Sequence, residues 1–479
     1  LLAVPGFAPF SFYPLTILAL AILFVQWTRV ASPRAAAGVG FAFGLGLFGA
    51  GIAWIYVALH DYGGMPLPLA VLATGLFAAF IALFPALAGY AQARFATTTW
   101  ARVALLMPAL WTFSEWLRGT LFTGFPWLSF GYSQVAASPL AGYAPVFGVY
   151  GTSLVVAVSA GLLAVLWLLR WSRAGKIALL MTLVLWAGGA ALRVMEWTQP
   201  QGDVFRVALL QGNIPQEVKF RQGGLDGTLT AYRDLIRQSD ARLIVLPETA
   251  LPVLREELPA SYALSLLEFG RQQGSDILIG AFEREDDRYF NSVFSLGASP
   301  SQSYRKHHLV PFGEFIPLRP VLGWFINEVL HIPMGDLTRG DAHQPPLKVA
   351  GQQVAVDICY EDVFGEEIIR ALPAATILVN VSNDAWYGHS AAAMQHNQIA
   401  QMRALESGRM MLRATNTGVT SVIDRDGRIK QMLPQHEAGM LTAVVQGYTG
   451  STPYVRWGNA PVLLLAVLMA AASVLLRKR

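Results

Sequence analysis

Charged residues are scarce in this chain, and cysteine occurs only once. Asp, Glu, Lys and Arg together make up 14% of the 479 residues, whereas hydrophobic residues make up 54%. Because an ordinary soluble domain is about 25% charged, this composition excludes a purely soluble protein and indicates a membrane protein. The single cysteine, Cys359, excludes an intramolecular disulfide.

Basic residues form no continuous stripe, and the formal net charge is a modest +4. Nucleic-acid-binding proteins concentrate Lys and Arg on one surface, so we expect no nucleic-acid partner. The sequence also contains no pair of histidines four residues apart with an accompanying carboxylate, a spacing typical of bound metal. We therefore expect no metal and no other cofactor.

Several apolar runs are long enough, or nearly so, to cross a membrane as helices. A span of the hydrocarbon core needs roughly 20 residues, and the runs are 13–28, 36–58, 67–93, 103–117, 143–169, 177–194 and 459–476. The preceding stretch LLAVPGFAPF is interpreted as the end of a further helix, which gives about eight transmembrane helices with the first incomplete. A cleaved signal peptide is the alternative, but the stretch lacks a small-residue cleavage pattern.

Basic residues at the ends of these runs indicate which side of the membrane each loop faces. The positive-inside rule places loops rich in Lys and Arg in the cytoplasm. Such residues occur in alternate loops, at Arg29, Arg34, Arg94, Arg102, Arg170, Arg173, Lys176, Arg477, Lys478 and Arg479. Loops 59–66 and 119–142 carry none, although Arg118, Arg193 and Arg456 are exceptions at outer ends. The interval 195–458 is therefore expected on the outer side, which in the inner (cytoplasmic) membrane of a bacterium is the periplasm.

The long polar interval divides the chain into three predicted parts. Residues 1–194 are expected to form the N-terminal transmembrane helices, 195–458 an outer domain, and 459–479 a C-terminal transmembrane helix with a basic cytoplasmic tail. Within the interval, runs such as ARLIVLPE, QQVAVDIC and TILVNVSN alternate in part with helical stretches such as 225–239 and 395–407. Near-continuous Val, Ile and Leu is typical of strands buried on both faces, so the outer domain is predicted to be α/β.

Cys359 follows the strand-like run VAVDI and precedes an acidic turn. A lone cysteine is commonly a small buried hydrophobic residue, and that remains the alternative. However, α/β folds place reactive groups at the ends of buried strands. This position favours a nucleophile, which would also need a base and a donor that stabilises developing negative charge.

Two other stretches supply such charged groups. LIVLPETALP places Glu248 just beyond a buried strand, and YRKHHLVPFGEFIP contains Lys306 and, further on, Glu314. A partly desolvated carboxylate is a usable base, and a lysine near a developing oxyanion stabilises it. The alternatives are a capping or surface carboxylate for Glu248 and a solvated loop lysine for Lys306.

Taken together, these stretches resemble the Glu-Lys-Cys triad of the nitrilase, or carbon-nitrogen hydrolase, superfamily over about residues 200–455. With membrane helices on both sides and the motifs HLVPFGEF, ICYE and SNDAW in order, the whole chain resembles the apolipoprotein N-acyltransferase family. The resemblance implies an αββα sandwich in the periplasm. It assigns Glu248 as base, Lys306 as oxyanion stabiliser and Cys359 as nucleophile. It also implies supporting roles for the residues Glu314, Tyr360, Glu361, Asn291 and Trp386.

The resemblance further implies a two-step acyl transfer. The sn-1 acyl chain of phosphatidylethanolamine would pass to Cys359 as a thioester, and then to the α-amine of the diacylglyceryl-cysteine at an apolipoprotein N-terminus. The implied partners are the phospholipid donor, the apolipoprotein acceptor and the lipid bilayer, and the chain is expected to act as a monomer. A dry entrance would favour transfer to the amine over hydrolysis.

An apolar stretch after Lys306 is interpreted as part of the substrate entrance. Leu318, Leu322, Trp324 and Phe325 carry too much apolar surface to face water unless they pack on the core or dip into lipid. Phe220, which stands where relatives can carry Trp, is grouped with them. An ordinary core helix is the alternative. The uncharged aromatic loop 120–134 is a second candidate, with an interfacial belt as its alternative. Nearby Glu115 is expected to snorkel, with contact to a lipid head group as the alternative.

Three rival functions remain open at this point. A Cys-His hydrolase would use His307 or His308 as base, but would leave Glu248 unexplained. A membrane-anchored, nitrilase-like amidase would keep the triad and release the acyl group to water. A transporter would place ionisable residues in the middle of several spans, and these spans contain almost none.

Overall fold

The computed structural model describes residues 1–95, 97–135, 137–170, 172–219, 224–317 and 336–476. The chain divides into two units. The first contains Leu1–Tyr56, Pro66–Trp197 and Thr452–Arg479, and the second contains Val57–Met65 and Thr198–Ser451. The short segment Val57–Met65, which joins two apolar helices in the sequence, thus belongs to the same unit as the predicted outer domain.

Apolar helices build the first unit. Four of the described helices are long and apolar enough to cross a membrane, namely Pro33–Gly51, Leu67–Arg94, Pro139–Leu169 and Arg173–Arg193, and the shorter Pro14–Arg29 and Ala460–Leu475 are also apolar. The π-helical turn Arg102–Leu106 continues into the helix Met107–Thr120. A membrane part is therefore supported. The number of about eight spans stays a prediction, because Val4–Gly6, in the stretch interpreted as an eighth helix, forms a 3-10 turn.

Glycine allows two of these helices to pack closely. A Cβ atom added to Gly40 of Pro33–Gly51 would lie 2.3 Å from the Pro85 carbonyl oxygen, and one added to Gly44 would lie 2.9 Å from the Cα atom of Ala82. Small residues at such contacts let helix backbones approach within a membrane, where van der Waals packing drives association.

Two charged residues of Met107–Thr120 organise the aromatic loop that follows it. Arg118 donates to the Trp127 carbonyl over 2.6 Å and to Ser129 Oγ over 3.1 Å, while Glu115 Oε1 accepts the Phe130 N–H over 3.0 Å. Glu115 is only 3% exposed, so the expectation that it snorkels is wrong. Trp127 and Phe130 are buried as well, so these two aromatic side chains of the loop are packed inside the unit, not displayed as an interfacial belt.

The second unit contains two β-sheets. The strands of the first sheet are β1 (Thr198–Gln211), β2 (Leu243–Val245), β3 (Leu251–Leu254), β4 (Asp276–Glu285), β5 (Arg288–Gly297), β6 (Ser303–Arg305) and β13 (Gly439–Gly450), in the order β13-β1-β2-β4-β5-β6 with β3 beside β4. The pairs β1–β2 and β2–β4 are parallel, whereas β13–β1, β4–β5 and β5–β6 are antiparallel.

The second sheet has the order β12-β11-β10-β9-β8-β7. Its strands are β7 (Leu347–Val349), β8 (Gln352–Ile358), β9 (Ile377–Ser382), β10 (Met411–Thr415), β11 (Ser421–Ile423) and β12 (Ile429–Met432). The central pairs β8–β9 and β9–β10 are parallel. The two sheets contact each other through β1 and β10 and through β13 and β9.

Each sheet is covered by helices through an apolar core. Gly224–Arg237 and Ala260–Gln273 contribute Tyr232 and Leu266 to a cluster with strand residues such as Ile244 and Ile277. Ala392–Ser407 packs Ala400 and Ala404 against Leu378 and Met411 of the second sheet. This two-sheet α/β arrangement agrees with the fold that the resemblance implied.

Candidate active site

Glu248 follows β2 after Leu246 and Pro247, and its carboxylate is held by donors on both oxygens. Oε1 accepts Asn291 Nδ2 over 2.7 Å and lies 3.4 Å from Lys306 Nζ, while Oε2 accepts the Asn383 N–H over 2.9 Å. The side chain is buried. Contacts on each oxygen fix the orientation of a carboxylate that would otherwise rotate.

Lys306 directly follows β6 and is 1% exposed. Its Nζ atom donates to Glu314 Oε1 over 2.8 Å, a shorter contact than that to Glu248. Burial by itself lowers the pKa of Lys306, but the charges of Glu314 and Glu248 outweigh burial and raise it above the ordinary value. The side chain therefore stays an ammonium, which can donate hydrogen bonds but cannot accept a proton.

Cys359 stands directly after β8 and is buried. Burial raises the pKa of its thiol well above the ordinary value, and the charge of Glu248 raises it further, while Lys306 and a hydrogen bond with Ser382 act in the opposite direction. At neutral pH the resting group is consequently a thiol. A thiol becomes a good nucleophile only when a neighbouring base removes its proton.

Two of the predicted supporting residues connect the acid and the lysine. Asn291, on β5, donates through Nδ2 to Glu248 and over 3.1 Å to Glu314 Oε1, and its main-chain carbonyl accepts the Lys306 N–H over 2.8 Å. Glu314 Oε2 accepts the Val310 N–H over 2.8 Å. The structure thus brings Glu248, Asn291, Lys306 and Glu314 into one hydrogen-bonded group.

Glu361 links the loop of the lysine to the loop of the cysteine. Its Oε1 atom accepts the main-chain N–H groups of His307 and His308 over 2.7 Å and 3.0 Å, and its Oε2 atom accepts the Ile358 N–H over 2.7 Å. The Tyr304 hydroxyl donates to the same carboxyl over 3.0 Å. Burial raises the pKa of Glu361 to about 7 in spite of these donors.

Tyr360 and Trp386 each contact another aromatic ring. Tyr360 is buried, and its ring meets the Phe364 ring edge-on at 5.2 Å. Trp386 is 41% exposed, and its ring lies 6.4 Å from that of Tyr62 at an angle of 73°. Since Tyr62 comes from Val57–Met65, this loop between two membrane helices packs beside the strand-end segment that carries Trp386.

The predicted entrance residues Phe220, Leu318, Leu322, Trp324 and Phe325 lie outside the described residues. Their role stays a prediction.

Sequence reasoning missed Lys219, which is 2% exposed and supports the turn that carries Glu248. Its Nζ atom donates to Thr249 Oγ1 over 2.8 Å and to the Glu248 carbonyl over 3.3 Å. Thr249 has φ +44°, a left-handed conformation unfavourable for a β-branched residue. Burial lowers the pKa of Lys219 to about 7, against the opposing charge of Glu248. No pattern around residue 219 distinguishes it from a surface lysine.

The two histidines of the rival Cys-His hydrolase are directed to other partners. His307 Nδ1 lies 2.9 Å from the Gly340 carbonyl oxygen. His308 Nδ1 lies 3.1 Å from Glu367 Oε1, and its ring stacks on Phe364 at 3.7 Å. These contacts disfavour either histidine as the base, whereas Glu248 is hydrogen-bonded within the group that contains Lys306.

A metal centre was also sought among the described ranges. Within them, no three side chains of His, Cys, Asp or Glu are grouped so as to hold a metal ion.

Comparison with known proteins agrees with the two-part organisation. The model of the apolipoprotein N-acyltransferase N-terminal domain matches residues 1–162, and the carbon-nitrogen hydrolase model matches residues 206–454. The apolipoprotein N-acyltransferase of Nitrosomonas europaea is 53% identical over 98% of this chain and 94% of its own length. That of Methylococcus capsulatus is 47% identical over 96% of this chain and 91% of its own.

One similar solved structure matches about half of the chain. A carbon-nitrogen hydrolase superfamily protein from Xanthomonas campestris covers 55% of this chain and 97% of its own, with 18% identity and a TM-score of 0.35. The assignment of the chain therefore depends on the sequence relatives.

Proposed function

This chain belongs to the apolipoprotein N-acyltransferase family, and we propose that it acylates lipoproteins through a thioester on Cys359. The acyl acceptor is the α-amine of the N-terminal diacylglyceryl-cysteine of an apolipoprotein, and the donor is the sn-1 chain of phosphatidylethanolamine. The observation that supports the mechanism is that a buried thiol interacts electrostatically with a buried glutamate and a buried lysine, in a chain that has no other cysteine. Glu248, Lys306 and Cys359 form the proposed triad.

In the first half-reaction, Glu248 acts as the base. Since the resting nucleophile is a thiol, Cys359 Sγ attacks the ester carbonyl carbon as its proton moves to Glu248. The ester C–O bond then breaks, and Glu248 returns the proton to the departing alkoxide of the lysophospholipid. The products are a lysophospholipid and an acyl-Cys359 thioester.

Lys306 stabilises the oxyanion of the tetrahedral intermediate. Its pKa is raised by the neighbouring carboxylates, so it is charged before the reaction begins and needs no proton transfer. A preorganised donor in a site without water contributes on the order of 3 kcal/mol to the transition state. The same property excludes Lys306 as the base, which leaves Glu248 for that role.

In the second half-reaction, the acceptor amine attacks the thioester. The acceptor amine is an ammonium in water, so it releases one proton to solvent before it attacks, and Glu248 accepts a second proton from the nitrogen as the C–N bond forms. An amide bond forms as the C–S bond breaks, and the sulfur recovers a proton from Glu248. Because the enzyme alternates between free and acylated forms, the proposal predicts ping-pong kinetics.

Both substrates are lipids, so the reaction requires a membrane location. We infer from the distribution of Lys and Arg that the chain lies in the inner membrane of a bacterium with residues 195–458 in the periplasm. The apolar helices support the membrane part of this inference. We also propose that the enzyme acts as a monomer, because one chain supplies the base, the oxyanion donor and the nucleophile.

The rival function is hydrolysis, in which water takes the acyl group. To separate the two, the purified protein in phosphatidylethanolamine vesicles is given lipid with a radiolabelled sn-1 chain and a synthetic diacylglyceryl-cysteine peptide. Label on the peptide and release of lysophospholipid are expected, with no label transferred from the sn-2 position. Labelled free fatty acid in place of acylated peptide would overturn the proposal in favour of an amidase-like hydrolase.

A further inference from the structure

The main-chain carbonyl of Cys359 is held by two side chains that the proposed reaction does not use. Asn380, on β9, donates to it through Nδ2 over 3.1 Å, and His396, on Ala392–Ser407, does so through Nε2 over 3.2 Å. Cys359 itself has φ +53°. An L-residue in this left-handed region carries strain of about 1–3 kcal/mol and persists only when surrounding contacts hold it.

The contacts of the His396 ring define its protonation state. Nε2 also lies 2.9 Å from Asp362 Oδ1, and Nδ1 lies 3.0 Å from Asp384 Oδ1. A carbonyl and a carboxylate are acceptors, so both ring nitrogens must carry hydrogen. His396 is therefore an imidazolium in this arrangement.

A second cation completes the cluster. Arg413, on β10, lies 3.0 Å from Asp362 Oδ2 through Nη1 and 3.0 Å from Asp384 Oδ2 through Nη2. Two cations thus face two carboxylates in a region where all four side chains are buried. Burial and the charge of Asp362 raise the pKa of the nearby Asp357 well above the ordinary value.

The charge on His396 agrees with these neighbours. Burial and Arg413 lower the pKa of His396, but Asp362 and Asp384 raise it more, to about 9. Burial also raises the pKa of Asp384, yet the charges of Arg413 and His396 outweigh burial and hold it below the ordinary range. The cluster is consequently close to neutral at physiological pH, and loss of the His396 proton would leave a buried negative charge.

We propose that His396, as an imidazolium, is a positioning residue for the nucleophile. By holding the Cys359 carbonyl it keeps the strained backbone that aims the thiol toward Glu248 and Lys306. The role in acyl transfer rests on the proposed function, but the position of the thiol does not.

The test compares His396→Gln with a matched buried cation. Arg409 is fully buried in the same unit and donates to the carbonyls of Ala375 over 2.8 Å and Gly450 over 2.9 Å, contacts separate from those that hold the cysteine. Two rates are measured per folded molecule: alkylation of Cys359 by iodoacetamide, and thioester formation from phosphatidylethanolamine. His396→Gln should lower both the alkylation rate and the rate of thioester formation. Thioester formation should fall by about 100-fold with an unchanged KM, as expected for a misplaced reacting group. Arg409→Gln should lower only the melting temperature.

A double variant that restores the charge balance distinguishes a loss of positioning from a loss of folding. In Asp362→Asn/His396→Gln the cluster again has equal numbers of positive and negative charges, and the glutamine amide can still donate to the Cys359 carbonyl. We expect thioester formation in the double variant to be at least tenfold faster than in His396→Gln. Each of three results would overturn the proposal: wild-type rates in His396→Gln, an equal loss of rate in Arg409→Gln, or no recovery of rate in the double variant.

The wild-type protein provides a test that needs no folded variant. Nitrogen-15 NMR of histidine-labelled protein should show an imidazolium that persists at pH 8, where an ordinary histidine with a pKa of about 6.5 is neutral. Absence of such a signal would refute the assignment. If wild-type protein formed no thioester, the proposed function would fail, while the alkylation rates would still decide whether His396 positions the thiol.

Discussion

Lys306 Nζ lies 2.8 Å from Glu314 Oε1. Its contact with Glu248 Oε1 is longer, 3.4 Å, so Glu314 is the nearer counter-ion of the lysine in the resting site. This division suits the proposed mechanism, in which Glu248 must take up and release a proton while Lys306 stays charged throughout. One carboxylate holds the oxyanion donor, and the other remains available as the base.

Replacement of the two glutamates should therefore have different effects. Glu248→Gln removes the base and should abolish acyl-Cys359 formation. Glu314→Gln leaves an amide oxygen that can accept from Lys306 and should lower the rate by about 10- to 100-fold, the range for loss of a contact that orients a reacting group. Intact-protein mass spectrometry of the acylated form measures both. Equal rates in the two variants would contradict the division of roles.

Lys306→Ala should also prevent accumulation of the thioester. The change removes the oxyanion donor and leaves the buried Glu248 and the partly buried Glu314 without their shared cation, so the melting temperature should fall as well. Lys348→Ala, which removes an exposed lysine of β7, is the control and should behave as wild type. Thioester accumulation at a normal rate in folded Lys306→Ala would show that the lysine has a structural role.

Cys359→Ser and Cys359→Ala should fold and enter the membrane but fail to turn over. Either change alters one small side chain, whereas the first half-reaction needs sulfur as nucleophile. Melting temperature reports folding, and transfer of radiolabelled acyl chains to the peptide reports activity. Activity similar to that of the wild type in either variant would refute the triad.

The stability of the second unit should depend on the charge of His396. Its pKa is about 9 in the folded protein, above the ordinary value of about 6.5, so the proton is bound more tightly in the folded state. This contribution is complete below about pH 6.5 and is lost as the pH rises through about 9. The melting temperature should fall over that window in wild type and less in His396→Gln. Parallel slopes in the two proteins would exclude the linkage.

Trp324 and Phe325 provide a test of the predicted entrance. Their replacement by Ser should weaken turnover of long-chain phospholipid far more than alkylation of Cys359 by a small water-soluble reagent, because only the lipid must enter from the bilayer. Leu264→Ser, at an exposed position on Ala260–Gln273, is the control for loss of apolar surface. Equal losses in both assays with a lowered melting temperature would identify the two side chains as ordinary core.

Composition and local pattern were sufficient for the main features of the protein. Low charge and long apolar runs indicated a membrane protein, and strand-like runs of Val, Ile and Leu indicated the α/β domain. Cys359, Glu248 and Lys306 were predicted as a triad from their motifs, and each follows a strand or a strand-end turn in the structure. Their catalytic roles are proposals. Their motifs further indicated Glu314 and Asn291, which the structure places in contact with the acid and the lysine.

Tertiary structure alone decided which distant side chains support that site. Lys219 donates to the turn that carries Glu248, His396 contacts the carbonyl of Cys359, and Val57–Met65 belongs to the second unit. No local sequence pattern predicts any of these three features. The expectation for Glu115 was wrong for the same reason, since its partner Phe130 lies in a loop whose folding the sequence does not reveal. Periodicity and strand ends reflect neighbours along the chain. Contacts between remote side chains depend instead on strand order, register and packing, which are settled only when the sheets and helices have come together.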